Sequence, residues 1–133
     1  YHGVSAALEF AVCALDVQNI IVQGHRQCGG IKALFEGVPE GMDAEFIKPW
    51  VNMAKRAAER VREELPEAGH EERLCSCEMA GILVSLENLR TFPFIQKRLQ
   101  QNRLRLHGWY FDFVDGQMLA YDEDSLRFEP LIP

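Results

Sequence analysis

The apolar residues of this chain switch between a helical and a strand-like period. Residues 5–15, 47–65 and 74–91 repeat apolar positions every three or four residues, which predicts amphipathic helices. Residues 19–23 form a short apolar run of β type, and residues 104–114 have the two-residue period of a strand. The mixture of the two periods predicts an α/β protein.

Shorter segments fill in the rest of the pattern. Residues 31–35 continue from two glycines as a helical turn, residues 37–43 form a loop, and residues 94–101 make a short helix after a proline. Asp115-Gly116 is a hairpin signal, so residues 117–121 should return antiparallel to the preceding strand. The tail, residues 122–133, has no clear period. We therefore expect a single domain over residues 1–133, with a mostly parallel β-sheet flanked by helices and a C-terminal antiparallel hairpin strand.

Composition narrows the possible functions. The 133 residues carry a net charge of −6, which argues against a nucleic-acid binder because such proteins need a basic face to neutralise phosphates. No apolar stretch reaches membrane-spanning length, so we expect no membrane partner. Four cysteines are too few for a small disulfide-stapled scaffold, which favours a reducing compartment and a cytoplasmic location.

A histidine and a cysteine stand where the first strand ends. His25 and Cys28 lie in the segment GHRQCGG directly after the apolar run. Imidazole nitrogen and thiolate sulfur are preferred zinc ligands, and ligand sites in open α/β sheets gather beyond the carboxyl ends of strands. Cys28 should also begin a helix, whose dipole favours the thiolate. The pair predicts a Zn²⁺ site, although a structural turn with an incidental thiol has the same spacing.

Four other residues have candidate roles. Gly29 and Gly30 should permit a tight turn and a close backbone approach to the metal pocket, although an ordinary turn pair needs the same flexibility. Cys75 and Cys77 suggest a second metal or redox site, but their spacing fits neither a zinc finger nor a thioredoxin motif, so this reading is a minor alternative.

Several motifs in a fixed order resemble those of the β-class carbonic anhydrases. They are SAALEFAV at residues 5–12, GHRQCGGIKAL at 24–34, SLENLRTFPF at 85–94 and HGWYFD at 107–112. The resemblance covers essentially the whole chain and implies that zinc is held by a histidine and two cysteines, with His25 and Cys28 in two of these positions. The third ligand, a cysteine, belongs to an upstream Cys-x-Asp-x-Arg motif that this sequence does not contain.

The missing motif limits what can be assigned. Its aspartate and arginine carry the family's catalytic dyad, so no catalytic residue can be identified in this chain. We expect the sequence to be the C-terminal part of a β-carbonic-anhydrase-like domain that lacks its N-terminal strands. Because two protein ligands alone hold zinc loosely, the chain by itself should be inactive.

The resemblance implies a function for the intact protein. That function is the zinc-dependent, reversible hydration of CO₂ to bicarbonate and a proton, by a homodimer or higher homo-oligomer. Phe10 matches an aromatic residue that lines the active-site cleft, although a core phenylalanine is an equal alternative. Three other functions remain open: a catalytically inactive dimer of the same family, a related COS or CS₂ hydrolase, and an unrelated ligand-binding module without metal.

Overall fold

The elements of the protein follow the order expected from the sequence. The structure is a computed structural model and describes residues 2–131. Within this part of the chain none of the helices combines the length and the apolar character needed to cross a membrane. The elements are α1 (Gly3–Glu9), a π-helical segment (Phe10–Ala14), β1 (Asn19–His25), α2 (Gly29–Glu36), α3 (Ile47–Asn52), α4 (Lys55–Glu64), α5 (His70–Leu89), α6 (Pro93–Gln100), β2 (Arg105–Asp112), β3 (Gln117–Asp122) and β4 (Arg127–Pro130).

The described strands form one sheet in the order β1-β2-β3-β4. β1 and β2 are parallel, in a register that places His25 opposite Phe111, whereas β3 returns antiparallel to β2 as the Asp115-Gly116 signal predicted. β4 is a further antiparallel strand, which the prediction of a tail without a period missed. Its four residues are too short to show an alternation, and Phe128 is the half-buried side chain among three exposed ones. Within the described chain, β1 pairs with β2 alone, so its other edge carries no strand.

The predicted helix at residues 47–65 is wrong in one respect, because the structure divides it into α3 and α4. The N–H of Met53 donates to the carbonyl oxygen of Trp50, and the N–H of Ala54 donates to the carbonyl oxygen of Val51. These bonds span three residues instead of four, which tightens and ends the first helix before the second begins at Lys55. The apolar period continues across the break, and for that reason the sequence alone does not reveal it.

The long helix α5 packs closely against one face of the sheet. Ile82 fits against two glycines on neighbouring strands: a Cβ added at Gly24 would lie 2.8 Å from the Ile82 side chain, and one added at Gly108 would lie 2.9 Å from it. Leu86 and the fully buried Tyr110 complete this cluster. Because only glycine leaves room there, the helix approaches the strands more closely than side chains would otherwise allow.

The two faces of the sheet have different neighbours. The π-helical segment and α6 reach the face covered by α5 through a cluster that contains Val12 and Ile95, with Ile20 and Leu106 of the sheet packed against it. Strand alternation places Ile21, Trp109 and Phe111 on the other face. Ile21 is 45% exposed there. This face is therefore mixed, with apolar side chains beside polar ones, and part of it is exposed.

The packing of Ile82 gives a prediction for stability. Gly108→Ala should destabilise the protein by about 1–3 kcal/mol, because the new methyl group would overlap the Ile82 and Leu86 side chains. Urea denaturation followed by circular dichroism measures this change. Gly3→Ala is the matched control, since a Cβ at Gly3 meets nothing within 4 Å and alanine suits a helix. Equal stability of Gly108→Ala and the wild type would contradict this account of the helix–sheet contact.

Candidate metal centre

The His25–Cys28 turn joins the end of β1 to the start of α2. His25 is the last residue of the strand and is exposed, and Cys28 is the N-cap of the helix with extended backbone (φ −67°, ψ 116°). Between them Gln27 has a φ of +56°, in the left-handed region. This conformation costs a non-glycine residue about 1–2 kcal/mol, so the surrounding contacts must hold it.

The two glycines after Cys28 do not form the tight turn that was predicted. Gly29 and Gly30 are instead the first residues of α2, and the sharp change of direction falls on Gln27. A Cβ on Gly30 would lie 3.1 Å from the Trp50 ring and 3.8 Å from the Cys28 sulfur, so this glycine admits the tryptophan of α3 next to the turn. A Cβ on Gly29 would have no described neighbour within 4 Å.

The His25 ring has a hydrogen bond that suits a metal ligand. Its Nδ1 lies 2.9 Å from the backbone oxygen of Arg26. A carbonyl can only accept, so in the neutral ring Nδ1 carries the proton and the lone pair is on Nε2. Metal-binding histidines commonly donate their other N–H to a carbonyl or carboxylate in this way. His25 is therefore prepared to bind a cation through Nε2.

Cys28 is held by a residue that the sequence analysis missed. The backbone N–H of Cys28 donates to Oε1 of Glu78 on α5 at 2.9 Å, and the cysteine side chain is half-buried. Glu78 is only 5% exposed. A signal for it does exist in the sequence, because Glu78 is the single charged residue between Arg73 and Glu87.

Arg26 fastens the middle of the turn to β2. Its N–H donates to the carbonyl of Phe111 at 3.0 Å, and its guanidinium donates to Oδ2 of Asp112 at 2.9 Å. The other oxygen of Asp112 accepts the N–H groups of Val114 and Asp115 at the start of the hairpin turn. Burial raises the pKa of Asp112, but the bonds from Asp115, Arg26 and Val114 outweigh it and hold this pKa below its usual value.

A cavity of about 280 Å³ opens beside the turn. Its lining combines both signs of charge with two thiols: Arg26, Gln27, Cys28, Lys32, Glu71, Leu74, Cys75 and Glu78. Neither His25 nor Phe10 is among these residues. Phe10 lies on the π-helical segment and is 61% exposed, so its role in lining an active site stays a prediction.

The ligand chemistry of the turn fits one half of a zinc site. His25 offers a nitrogen donor whose ring is oriented by its bond to the Arg26 oxygen, and Cys28 offers a sulfur donor on a backbone that Glu78 holds. Among residues 2–131, no group of three or more His, Cys, Asp or Glu side chains is placed to hold a metal ion. The described residues thus offer His25 and Cys28 as candidate ligands and no third one beside them.

The Cys75 and Cys77 side chains do not form a second site. The sulfur of Cys75 lies 3.5 Å from the hydroxyl of Tyr110, beside the sheet. Cys77 is fully buried in a different cluster, with Ala57 and Val61 of α4. Burial raises the pKa of the Cys77 thiol to about 11, which favours its protonated form at neutral pH. The two thiols face different neighbours, which contradicts the minor alternative of a shared metal.

Comparison with known proteins identifies the family and the fold. The family model described as carbonic anhydrase matches residues 1–118. Together with the similar β-carbonic anhydrases described below, this match shows that the chain belongs to the β-class carbonic anhydrase family. The solved structure of the β-carbonic anhydrase CcaA superposes with a TM-score of 0.90 at 31% identity, over 96% of this chain and 62% of that one. The predicted family and fold class are thus confirmed.

Two plant relatives show how much of the family's length this chain represents. Beta carbonic anhydrase 3 of Arabidopsis thaliana is 35% identical over 126 residues, which are 93% of this chain and 49% of that protein. Beta carbonic anhydrase 5, chloroplastic, of the same species is 43% identical over 110 residues, which are 83% of this chain and 36% of that protein. The chain spans about half or less of the length of these relatives.

The lowered pKa of Asp112 predicts a dependence of stability on pH. Because the folded pKa lies below the unfolded one, the contribution of Asp112 is complete above the ordinary aspartate range and is lost as the pH falls through the folded value. We expect Asp112→Asn to be less stable than the wild type at neutral pH, with the difference shrinking between about pH 5 and pH 2.

Urea denaturation at a series of pH values measures this difference. Asp124→Asn, which removes an exposed carboxylate from the turn between β3 and β4, is the control and should leave the acid dependence unchanged. A constant difference between wild type and Asp112→Asn at every pH would contradict the role given to the Arg26–Asp112 contact.

Proposed function

We propose that the intact protein catalyses the reversible hydration of CO₂ to bicarbonate and a proton, with zinc bound by His25, Cys28 and a cysteine from outside this sequence. The observation that carries this proposal is the His25–Cys28 turn, in which two zinc-type donors with supported orientations stand at the carboxyl end of a strand in a β-carbonic anhydrase fold.

The free edge of β1 supports the expectation of an upstream ligand. Catalytic zinc normally has three protein ligands and an open position, and the turn offers two. In the described chain the strand that ends at His25 has a partner on one side only. A further strand added to the open edge would end beside the same turn, as expected if the Cys-x-Asp-x-Arg motif follows such a strand.

Three residues of the turn and two residues outside it have roles in this proposal. Nε2 of His25 and the Cys28 sulfur would hold the ion, and Arg26 and Glu78 keep the backbone between and beside them in place. When bound, zinc supplies the Lewis acidity that makes water a nucleophile near neutral pH. Phe10 is our candidate for an apolar wall that favours a small, uncharged substrate.

Two alternative functions, one of them without catalysis, are consistent with the same turn. A related COS or CS₂ hydrolase would use the same ligands, since nothing in the described residues selects CO₂ from similar molecules. A catalytically inactive family member acting as a dimer is the second, and it would lack the upstream motif in the full-length protein. Stopped-flow assays of CO₂ hydration and of COS hydrolysis on the intact protein separate these three functions. A cytoplasmic location stays a prediction.

Self-association is the second part of the proposal. The described chain exposes several large apolar side chains, among them Ile21 on the sheet and, around α3, Trp50 at 61% and Met53 at 62%. Exposed apolar side chains that form a patch usually mark an interaction site. We infer that the intact protein is a homodimer or a higher homo-oligomer. Most soluble oligomers consist of identical chains in a closed symmetric arrangement.

Replacing the sulfur ligand tests the metal assignment. Cys28→Ser in the full-length protein should lose stoichiometric zinc and CO₂ hydration together, because a hydroxyl is a poor substitute for a soft, anionic thiolate. Elemental analysis of the purified protein and a stopped-flow pH-indicator assay measure the two losses. Cys13→Ser, which alters an exposed cysteine on the π-helical segment, is the matched control and should keep both properties. Stoichiometric zinc in purified Cys28→Ser would rule out Cys28 as a ligand.

Light scattering of the intact protein tests the assembly. The measured mass should be at least twice that of one chain, because the exposed apolar faces need a cover. Dilution series at constant salt should show whether the activity falls as the assembly dissociates. A stable monomer that keeps full activity would contradict this part of the proposal.

A further inference from the structure

Glu78 is the charged side chain that lies buried within residues 2–131. It lies on α5, is 5% exposed, and is the only charged residue at positions 74–86. A buried carboxylate is unfavourable unless its oxygens accept hydrogen bonds, so a protein keeps one where those bonds serve a purpose. The partners of Glu78 therefore indicate what it does.

Both oxygens of Glu78 have a donor. Oε1 accepts the backbone N–H of Cys28 at 2.9 Å, and Oε2 accepts the hydroxyl of Tyr110 at 2.7 Å. Since the single hydroxyl proton of Tyr110 goes to Glu78, the thiol of Cys75, 3.5 Å away, is the donor to the Tyr110 oxygen. Burial and the contacts with Cys75 and Glu78 raise the pKa of Tyr110, so its hydroxyl remains protonated. The chain of bonds runs from Cys75 through Tyr110 and Glu78 to Cys28.

The bond to Cys28 satisfies the N–H of the N-cap residue itself. In a capping box, a Glu or Gln at the third helical position accepts this N–H. In α2 that position is Ile31, which has no acceptor. Glu78, 50 positions later in the chain, accepts the N–H of Cys28 from outside the helix. The consequence is that α5, rather than α2 itself, fixes the backbone of Cys28.

We propose that Glu78 is a positioning residue for the metal, which holds the Cys28 backbone so that the thiolate faces the ion, while Tyr110 keeps the Glu78 carboxylate in place. This role rests on the proposed zinc site. In this proposal the buried Glu78 and Tyr110 support the metal site, although neither is a metal ligand and neither belongs to the expected upstream Asp/Arg dyad.

A measurement on the metal-free intact protein tests the contact itself. Hydrogen exchange at the Cys28 amide, followed by mass spectrometry or NMR, should be at least about tenfold faster in Glu78→Leu, because that amide loses its acceptor. Glu78→Gln should retain slow exchange, since its carboxamide oxygen can still accept the N–H. Ser85→Ala is the control on the same helix: it removes a bond to the Gly81 carbonyl and should leave Cys28 unchanged.

A second measurement tests the consequence for the metal. Competition with a chelator should show zinc binding weakened by about 10–100-fold in Glu78→Leu, the usual effect of losing a group that orients a ligand. Glu78→Gln should bind within a few-fold of the wild type. In cobalt-substituted protein, the thiolate charge-transfer absorption should weaken or shift in Glu78→Leu alone. If Glu78→Leu does not fold, Tyr110→Phe replaces it and should show a smaller change in the same direction.

The outcomes separate this proposal from the one on which it rests. A folded Glu78→Leu protein with wild-type exchange at Cys28, or with faster exchange but unchanged zinc affinity and cobalt spectrum, overturns the positioning role. A wild-type protein that binds no zinc overturns the proposed function, and the chelator competition shows this before any variant is compared.

Discussion

The contact of Ile82 with Gly24 and Gly108 sets the geometry on which the site depends. Two glycines on paired strands leave a depression in the sheet, and the isoleucine side chain fills it at distances that no Cβ would allow. This brings α5 close to the sheet along its middle. Glu78 lies one helical turn before Ile82 on the same face, so the same contact decides how near its carboxylate comes to the end of β1.

The His25–Cys28 turn is consequently supported from several directions. Arg26 ties it to the hairpin through Asp112, and Cys28 is tied to α5 through Glu78. The unfavourable backbone conformation of Gln27 persists because both of its neighbours are anchored in this way. A site on a loop gains precision when rigid elements hold it from outside, and here a strand and a helix do so.

The sequence was sufficient to predict most of the elements and to single out His25 and Cys28 as a candidate pair, since both follow from local patterns. Apolar periods locate helices and strands, and a histidine and a cysteine after a strand define a candidate site within four positions. The same approach could not predict the break between α3 and α4, because the apolar period of residues 47–65 runs through it. It missed β4 for the opposite reason, as a strand of four residues has no measurable period.

Long-range contacts explain the remaining differences. Gly29 and Gly30 suggested a tight turn, yet the structure gives the left-handed conformation to Gln27, because the bonds of Arg26 and Cys28 to distant elements determine the path of the backbone. Glu78 escaped notice since its partners lie on β2 and at the start of α2. A lone acid in an apolar helix is the trace of such a contact in the sequence, and it shows that a partner exists without showing which one.

The separation of these partners along the chain also affects the time at which the site can form. Arg26 and Asp112 are 86 residues apart, and Cys28 and Glu78 are 50 apart. During synthesis at about 5–20 residues per second, the turn leaves the ribosome seconds before the residues that fix it. Until β2 has paired with β1, the imidazole and the thiol belong to a flexible segment that imposes no coordination geometry. In the proposed zinc site, selection of the ion would be a property of the folded chain, acquired late, and the nascent thiol would be exposed to other ions and to oxidation in the interval.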